Sequence, residues 1–296
     1  MTRMTQAMAP AQSLSTGPAI APGRSPGLWL PTYTLWRREM VRFFRQRSRV
    51  VGTLATPLIF WLFLGSGLDQ SFVHAAGVSV GGGSGVGYRE YFLPGTIVLM
   101  VLFTAVFSTI TVIEDRREGF LQGVLVAPVP RLAIVLGKVL GGTGIALVQG
   151  VVLLAVWPLV TPWPGGAQIA LSLLGALGIL VLLAVGLTAL GLCMAWPMDS
   201  TAAFHAVMNL VLVPMWFLSG AVFPIGPRTP LALRLLMDVN PLTYGQSAFA
   251  WVLSNGRISV GAPASCALAV LITACATVAV LGVAVWLVGR PRKDGM

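Results

Sequence analysis

Five apolar runs without a single Asp, Glu, Lys or Arg dominate the chain, at 50–68, 91–113, 169–196, 202–222 and 262–288. A sixth, 132–160, carries only Lys138. Each reaches or exceeds the roughly 18 residues that mark a membrane-crossing helix. Inside hydrocarbon the backbone must satisfy its own N–H and C=O groups, and for runs of this length the helix is the structure that does so. The spacing therefore predicts an all-α polytopic membrane protein with six transmembrane helices. Only 9% of the 296 residues are charged, against about 25% in an ordinary soluble domain. The net charge of +10 would elsewhere suggest a nucleic-acid partner. Here the bases flank the apolar runs, where anionic headgroups attract them, so membrane lipids are the expected partner and nucleic acid is not.

The segments outside the runs differ in kind. Residues 1–31 are rich in Ala, Pro, Ser and Gly at their start, lack the apolar stretch of a signal peptide, and read as a disordered cytoplasmic tail. Between Thr32 and Arg49, Trp36, Met40, Phe43 and Phe44 form one helical stripe, while Arg37, Arg38, Arg42, Arg45, Arg47 and Arg49 fill much of the remainder. A basic helix with an aromatic face lies in the headgroup plane, as a topology anchor or as an interfacial elbow that also touches a partner. Asp69 to Glu90 reads as a polar loop. Its glycines (Gly81, Gly82, Gly83, Gly85, Gly87) are not followed by the Lys-Ser/Thr of a phosphate cradle. Phe223 to Gly261 holds two apolar pieces too short to span, separated by Asn240-Pro241. They predict a re-entrant or interfacial hairpin before the last span, with Tyr244 in its second piece. Residues 291–296 form a second short tail.

Between the second and third runs lies EDRREGFLQGVLVAPVPRLAIVLGK, Glu114 to Lys138, which opens with five consecutive charged residues. That much charge between two spans requires an aqueous destination. Mixed signs favour a specific salt-bridged contact over lipid adhesion, which needs only bases. The segment reads as a cytoplasmic docking helix for a soluble partner, with a solvated loop as the plainer alternative. Orientation follows from Lys and Arg. With the N-terminus inside, fifteen of the nineteen fall on the inner side and four (Arg89, Arg228, Arg234, Arg257) on the outer. The positive-inside rule then places both termini and the charged insert in the cytoplasm.

The chemistry of an enzyme is missing. There is no Walker lysine, H-E-x-x-H, G-x-S-x-G or C-x-x-C, and no paired carboxylates occur within the runs, so neither catalytic nor metal residues are expected. Cys193, Cys266 and Cys275 lie in apolar runs and read as small core residues. His205 and Asn209, one helical turn apart in the fifth run, are the candidate intramembrane polar pair. Gly137 and Gly141 form G-x-x-x-G, a pattern that lets membrane helices approach closely.

The insert resembles the corresponding loop of type-2 ATP-binding cassette (ABC) exporter permeases. The resemblance rests on Glu114, Glu118, Gly119, Leu125, Pro128, Val129, Arg131, Gly137 and Lys138, while Gln122 stands where an acid is common and Ala127 where Ser or Thr is common. The basic helix before the first run and NPLTYGQSAFA at 240–250 agree in order. The likeness covers about residues 32–290 and is closest to the drug-resistance and nodulation-type exporters. It implies a type-2 ABC transmembrane domain with an N-terminal elbow helix (Trp36, Arg37, Arg38, Arg42, Phe43, Arg45). It also implies a coupling helix that docks an ATPase through Glu114, Asp115, Arg116, Arg117, Glu118, Gly119, Gln122, Leu125, Pro128 and Arg131, and an extracytoplasmic hairpin (Asn240, Pro241, Tyr244). The protein would be a multi-pass permease of the cytoplasmic (inner) membrane rather than an enzyme. It would bind no cofactor, with ATP held on a separate ABC ATP-binding subunit, and would work as a pair of identical or related permease copies. Its cargo would be an amphipathic drug, antibiotic or lipid. The alternatives are export of a lipid-linked polysaccharide and secondary transport without an ATPase.

Overall fold

The computed structural model describes residues 27–76, 87–160, 167–225, 229–261 and 264–290. The expectations for 1–26, for the glycine-rich stretch 77–86, for the Pro-Trp-Pro turn at 161–166 and for the tail 291–296 lie outside these residues. Every regular element among the described residues is a helix. Five units are long and apolar enough to cross a membrane: Val50–Leu68, Tyr88–Arg117, Arg131–Val160, Gln168–Ala195 and Cys266–Gly289. The protein is thus an all-α, polytopic membrane protein.

The chain begins with α1 (Trp29–Arg45), three residues earlier than the sequence pattern indicates, and continues into α2 (Arg47–Ala76). The loop expected from Asp69 is helical as far as Ala76. Next, α3 (Tyr88–Ser108) and α4 (Ile110–Arg117) form a rod with one tight turn at Thr109. The hydroxyls of Ser108 and Thr109 donate to the carbonyls of Ala105 and Val106, a local competition that loosens the helical ladder there. This rod is the most buried of the crossing units, and α2 is the least. After the short α5 (Phe120–Val126), α6 (Arg131–Leu154) and a single turn, α7 (Trp157–Val160), complete the third unit. The fourth is α8 (Ala167–Ala195).

The fifth expected span is shorter than its apolar run. α9 (Thr201–Phe217) has 17 residues, about 25 Å at 1.5 Å per residue, against a hydrocarbon core of about 30 Å. The chain turns after Phe217, and Gly220 adopts φ +76°. Then α10 (Leu231–Val239) and α11 (Pro241–Leu253) meet at Asn240, whose Oδ1 accepts from the Leu242 N–H at 3.1 Å while Pro241 starts the second helix. The two-piece reading of this region is therefore what the chain adopts. α11 packs on α3, α8 and the last unit, α12 (Cys266–Gly289).

The packing of α1 was only half visible in the sequence. Its buried residues are Thr32, Leu35, Glu39 and Phe43, whereas Phe44 of the predicted aromatic stripe is 44% exposed. The helix runs parallel to α6, with Leu35 over Gly137 and Glu39 over Gly141. A Cβ on these glycines would come within 2.6 Å of the Leu35 Cβ and 2.8 Å of the Glu39 Cβ. The small-residue pattern of α6 thus seats α1 of the same chain. Glu39 occupies the buried row because it meets a lysine there.

Candidate functional site

Helix propensity does not stop at Ile113, because Glu, Asp and Arg all propagate a helix. The first four charges of the insert therefore extend the α3–α4 rod rather than occupying a separate helix. The rod ends at Gly119, which takes φ +76° and reverses the chain into α5. The independent docking helix expected to carry Glu114–Glu118 is corrected accordingly: those charges belong to α4 and its end, and the separate helix is Phe120–Val126.

This placement turns several charges inward. Asp115 is wholly buried and faces three cations. Arg38 reaches it with both guanidinium nitrogens, at 2.7 and 3.0 Å, Arg42 at 3.1 Å, and Lys138 at 2.5 Å. Lys138 also binds Glu39 at 2.6 Å and the Thr111 hydroxyl at 3.1 Å, while Arg42 holds Glu114 at 2.8 Å. The hydrogen bond to Asp115 raises the pKa of Arg38 above its ordinary value, against the opposing effect of burial. The Arg38 guanidinium lies 3.9 Å from the centre of the Phe120 ring, which carries the contact into α5. Three cations and three carboxylates thus bind α1, α4 and α6 into one unit. Within the elbow set, Phe43 is buried, Trp36 half-buried, and Arg37 and Arg45 exposed.

The arginines of the insert hold helix ends. Arg116 donates to the carbonyls of Trp196 (2.7 Å) and Met198 (2.9 Å), pairs with Asp199 at 3.1 Å, and stacks over the Trp196 ring. The Arg117 Nε donates to the Asp199 carbonyl at 3.0 Å. Arg131 donates to the carbonyls of Val288 and Gly289, at 3.3 and 2.6 Å, at the end of α12. A cation on terminal carbonyls complements both the free acceptors and the helix dipole. Arg117 and Arg131 stay exposed while making these bonds, and beside them on the surface lie Glu118 at 60%, Gln122, Leu125 at 44%, Val126 at 87%, and Pro128.

A half-open cavity of about 430 Å³ lies between α1, α2, α3 and α9. Phe60, Met100, Phe103, Phe107, Val213 and Trp216 supply apolar walls, and Thr53, Thr56, Thr104 and Ser108 supply hydroxyls; no charged side chain lines it among the described residues. Behind it, Gln149 accepts from Thr104 at 2.5 Å and donates to Thr53 at 2.7 Å, joining α6, α3 and α2. Gln149 is the polar residue that sequence reasoning missed. Its signal was an amide far inside an apolar run, where a partner on another helix is required. His205 is exposed and stacks on Phe107, ring centres 4.9 Å apart; Asn209 is exposed one turn further on.

At the opposite end, α9 is fixed firmly. Asn240 Nδ2 donates to the Met215 carbonyl at 2.7 Å, Thr243 to the Leu218 carbonyl at 3.3 Å, and the Trp216 indole to the Gly95 carbonyl at 2.9 Å. Tyr244 donates to the Asp238 carbonyl at 2.8 Å, closing the α10–α11 junction. Of the three hairpin residues, Pro241 is exposed and Asn240 buried. Among the described residues no group of His, Cys, Asp and Glu has the makings of a metal site.

Comparison with known proteins matches this arrangement to one family. The family model described as "ABC-2 type transporter" matches residues 31–254. Nodulation protein J of Rhizobium leguminosarum bv. viciae is 28% identical over 227 residues, covering 73% of this chain and 77% of that protein. Nodulation protein J of Rhizobium meliloti is also 28% identical over 227 residues, at 73% and 76% coverage. The inner membrane transport permease YadH of Escherichia coli K12 is 25% identical over 223 residues, at 75% and 82%.

Proposed function

The chain belongs to the ABC-2 type transporter family, and from that premise we propose that this membrane transport permease is the transmembrane half of an ATP-driven exporter. ATP is bound and hydrolysed on a separate ABC ATP-binding subunit, which docks on α5. One observation carries this reading. Residues 114–131 tie Glu114, Asp115, Arg116, Arg117 and Arg131 to the bundle, yet leave Glu118, Gln122, Leu125, Val126 and Pro128 exposed on one short segment. Exposed leucine and valine beside a carboxylate make a surface suited to a protein rather than to anionic headgroups, which would select bases. Of the elbow arginines, Arg37 and Arg45 remain exposed.

The cargo is an amphipathic molecule. The cavity supports this by its chemistry, since aromatic walls with neutral hydroxyls suit an apolar body with a few hydrogen-bonding groups. The protein functions as a pair of permease copies in the inner membrane, with both termini and α5 in the cytoplasm. The name of the Escherichia coli relative supports the inner-membrane location, and the asymmetry of Lys and Arg supports the orientation. α9 serves as the remaining span, giving six.

The test is Glu118→Arg in the full chain coexpressed with its ATPase. Reversing an exposed interfacial charge should lower copurification about tenfold, equivalent to about 1.4 kcal/mol, with membrane insertion normal. Unchanged copurification together with unchanged stimulation of ATP hydrolysis would refute α5 as the docking site.

A further inference from the structure

The cavity and the charged segment are joined by an element that neither describes alone. α9 forms one wall of the cavity through Val213, Trp216 and Phe217. Its buried residues, Phe204, Met208, Leu212 and Trp216, recur every four positions, so the helix rests on the bundle along a single row. Its far end is pinned by the bonds from Asn240, Thr243 and Trp216. Its near end begins at Ser200, which caps the helix by accepting from the Ala203 N–H, directly after Asp199. Asp199 is held by Arg116 and Arg117, the last two residues of α4 before the Gly119 reversal into α5.

We infer that Arg116 is a positioning residue that makes α9 a lever: displacement of α5, through the grip of Arg116 on the α8–α9 turn, swings the near end of α9, where Phe204 and His205 meet the cavity-lining Phe107. This rests on the exporter reading above and adds to it the route and the moving wall. Three properties favour Arg116. It makes two carbonyl bonds and one ion pair within the turn, so a shift of α4 cannot leave the turn behind without breaking all three. Its side chain is only 18% exposed, so it is turned toward the bundle rather than toward a docked partner. The turn it holds, residues 196–200, separates α8, deeply packed on α3, α6, α11 and α12, from the lightly packed α9. A pull at that point moves the more lightly packed of the two helices that the turn joins. Lys138 and Asp115 act differently, because their ion pairs lock α1 to α4 and α6 rather than α4 to the turn.

The experiment uses the complex of the full chain with its ABC ATPase in lipid nanodiscs. A fluorophore is placed on Leu210→Cys, a position 75% exposed on α9, in a chain whose Cys193, Cys266 and Cys275 are replaced by serine. ATP with vanadate should shift the emission in the otherwise unaltered chain. Arg116→Ala should reduce that shift by roughly tenfold while the ATPase still copurifies, and Arg116→Lys, which retains a cation over the carbonyls, should restore most of it. A full shift in Arg116→Ala would overturn the lever. A second measurement needs no substitution. Amide exchange in residues 200–217 of the native complex should change on adding ATP and vanadate, and an unchanged α9 would equally overturn it. A native chain that binds no ATPase would overturn the exporter reading and the lever together, whereas bound ATPase with an unresponsive α9 refutes the lever alone.

Discussion

At the scale of single residues, the charges of the insert divide by direction. Asp115 has no exposed surface and three cationic neighbours, so it cannot meet a partner, although in the sequence it is indistinguishable from Glu114 or Glu118. Burying ion pairs gives little net stability, but deleting one member leaves uncompensated charge at a cost of about 3–5 kcal/mol. Asp115→Asn keeps the shape and removes the charge. Its thermal midpoint in detergent should fall by several degrees, well beyond any change in Glu118→Gln, where both states are solvated. Equal midpoints for the two variants would mean that the cluster is not the lock described. Gln149 teaches the complementary lesson. An amide inside an apolar run declares that it has a partner, but Thr53 and Thr104 could be named only once α2, α3 and α6 were placed together.

At the scale of elements, run length and charge conveyed the helices, while their terminations depended on residues with special backbone needs. The apolar run 202–222 suggested a full span, yet α9 stops at Phe217 and the chain passes through a left-handed Gly220. Apolar composition reports burial or lipid, not helicity, and the five residues of the run after α9, Leu218 to Val222, carry no charge because they pack against α3 and Val260. Asn240-Pro241 was legible because a cap followed by a proline acts locally. The buried face of α1 was not, because Glu39 looks like a surface residue until Lys138 lies opposite it. G-x-x-x-G showed close approach without naming the partner helix, which is α1. Gly141→Ala should therefore force α1 outward and cost about 1–3 kcal/mol of stability. Gly178→Ala, on α8 with open space around it, should gain about 0.5–1 kcal/mol from helix propensity. Thermal denaturation of the two variants side by side checks both signs, and a Gly141→Ala protein as stable as the parent would contradict the packing.

At the scale of the whole molecule, the two ends are built from different materials. The end holding Asp115, Arg116 and Arg131 is tied by ion pairs and capped carbonyls, whereas the end holding Tyr88, Tyr91 and Trp216 is tied by aromatic side chains donating to backbone carbonyls. There Arg257 pairs with Glu90 at 2.5 Å. In the proposed orientation the first end faces the cytoplasm, so impermeant thiol reagents applied from outside should label a cysteine placed at Gly82 and spare one at Gln122; labelling of both from one side would reverse or break the six-span map. The division within residues 114–131 has a further consequence. The side chains that hold the bundle together and those that would meet another protein stand on different residues of one short segment, Asp115, Arg116 and Arg131 on one hand, Gln122, Leu125 and Val126 on the other. Substitutions on the outer set leave every internal tie in place. A permease built this way can change its engine over generations without rebuilding its frame.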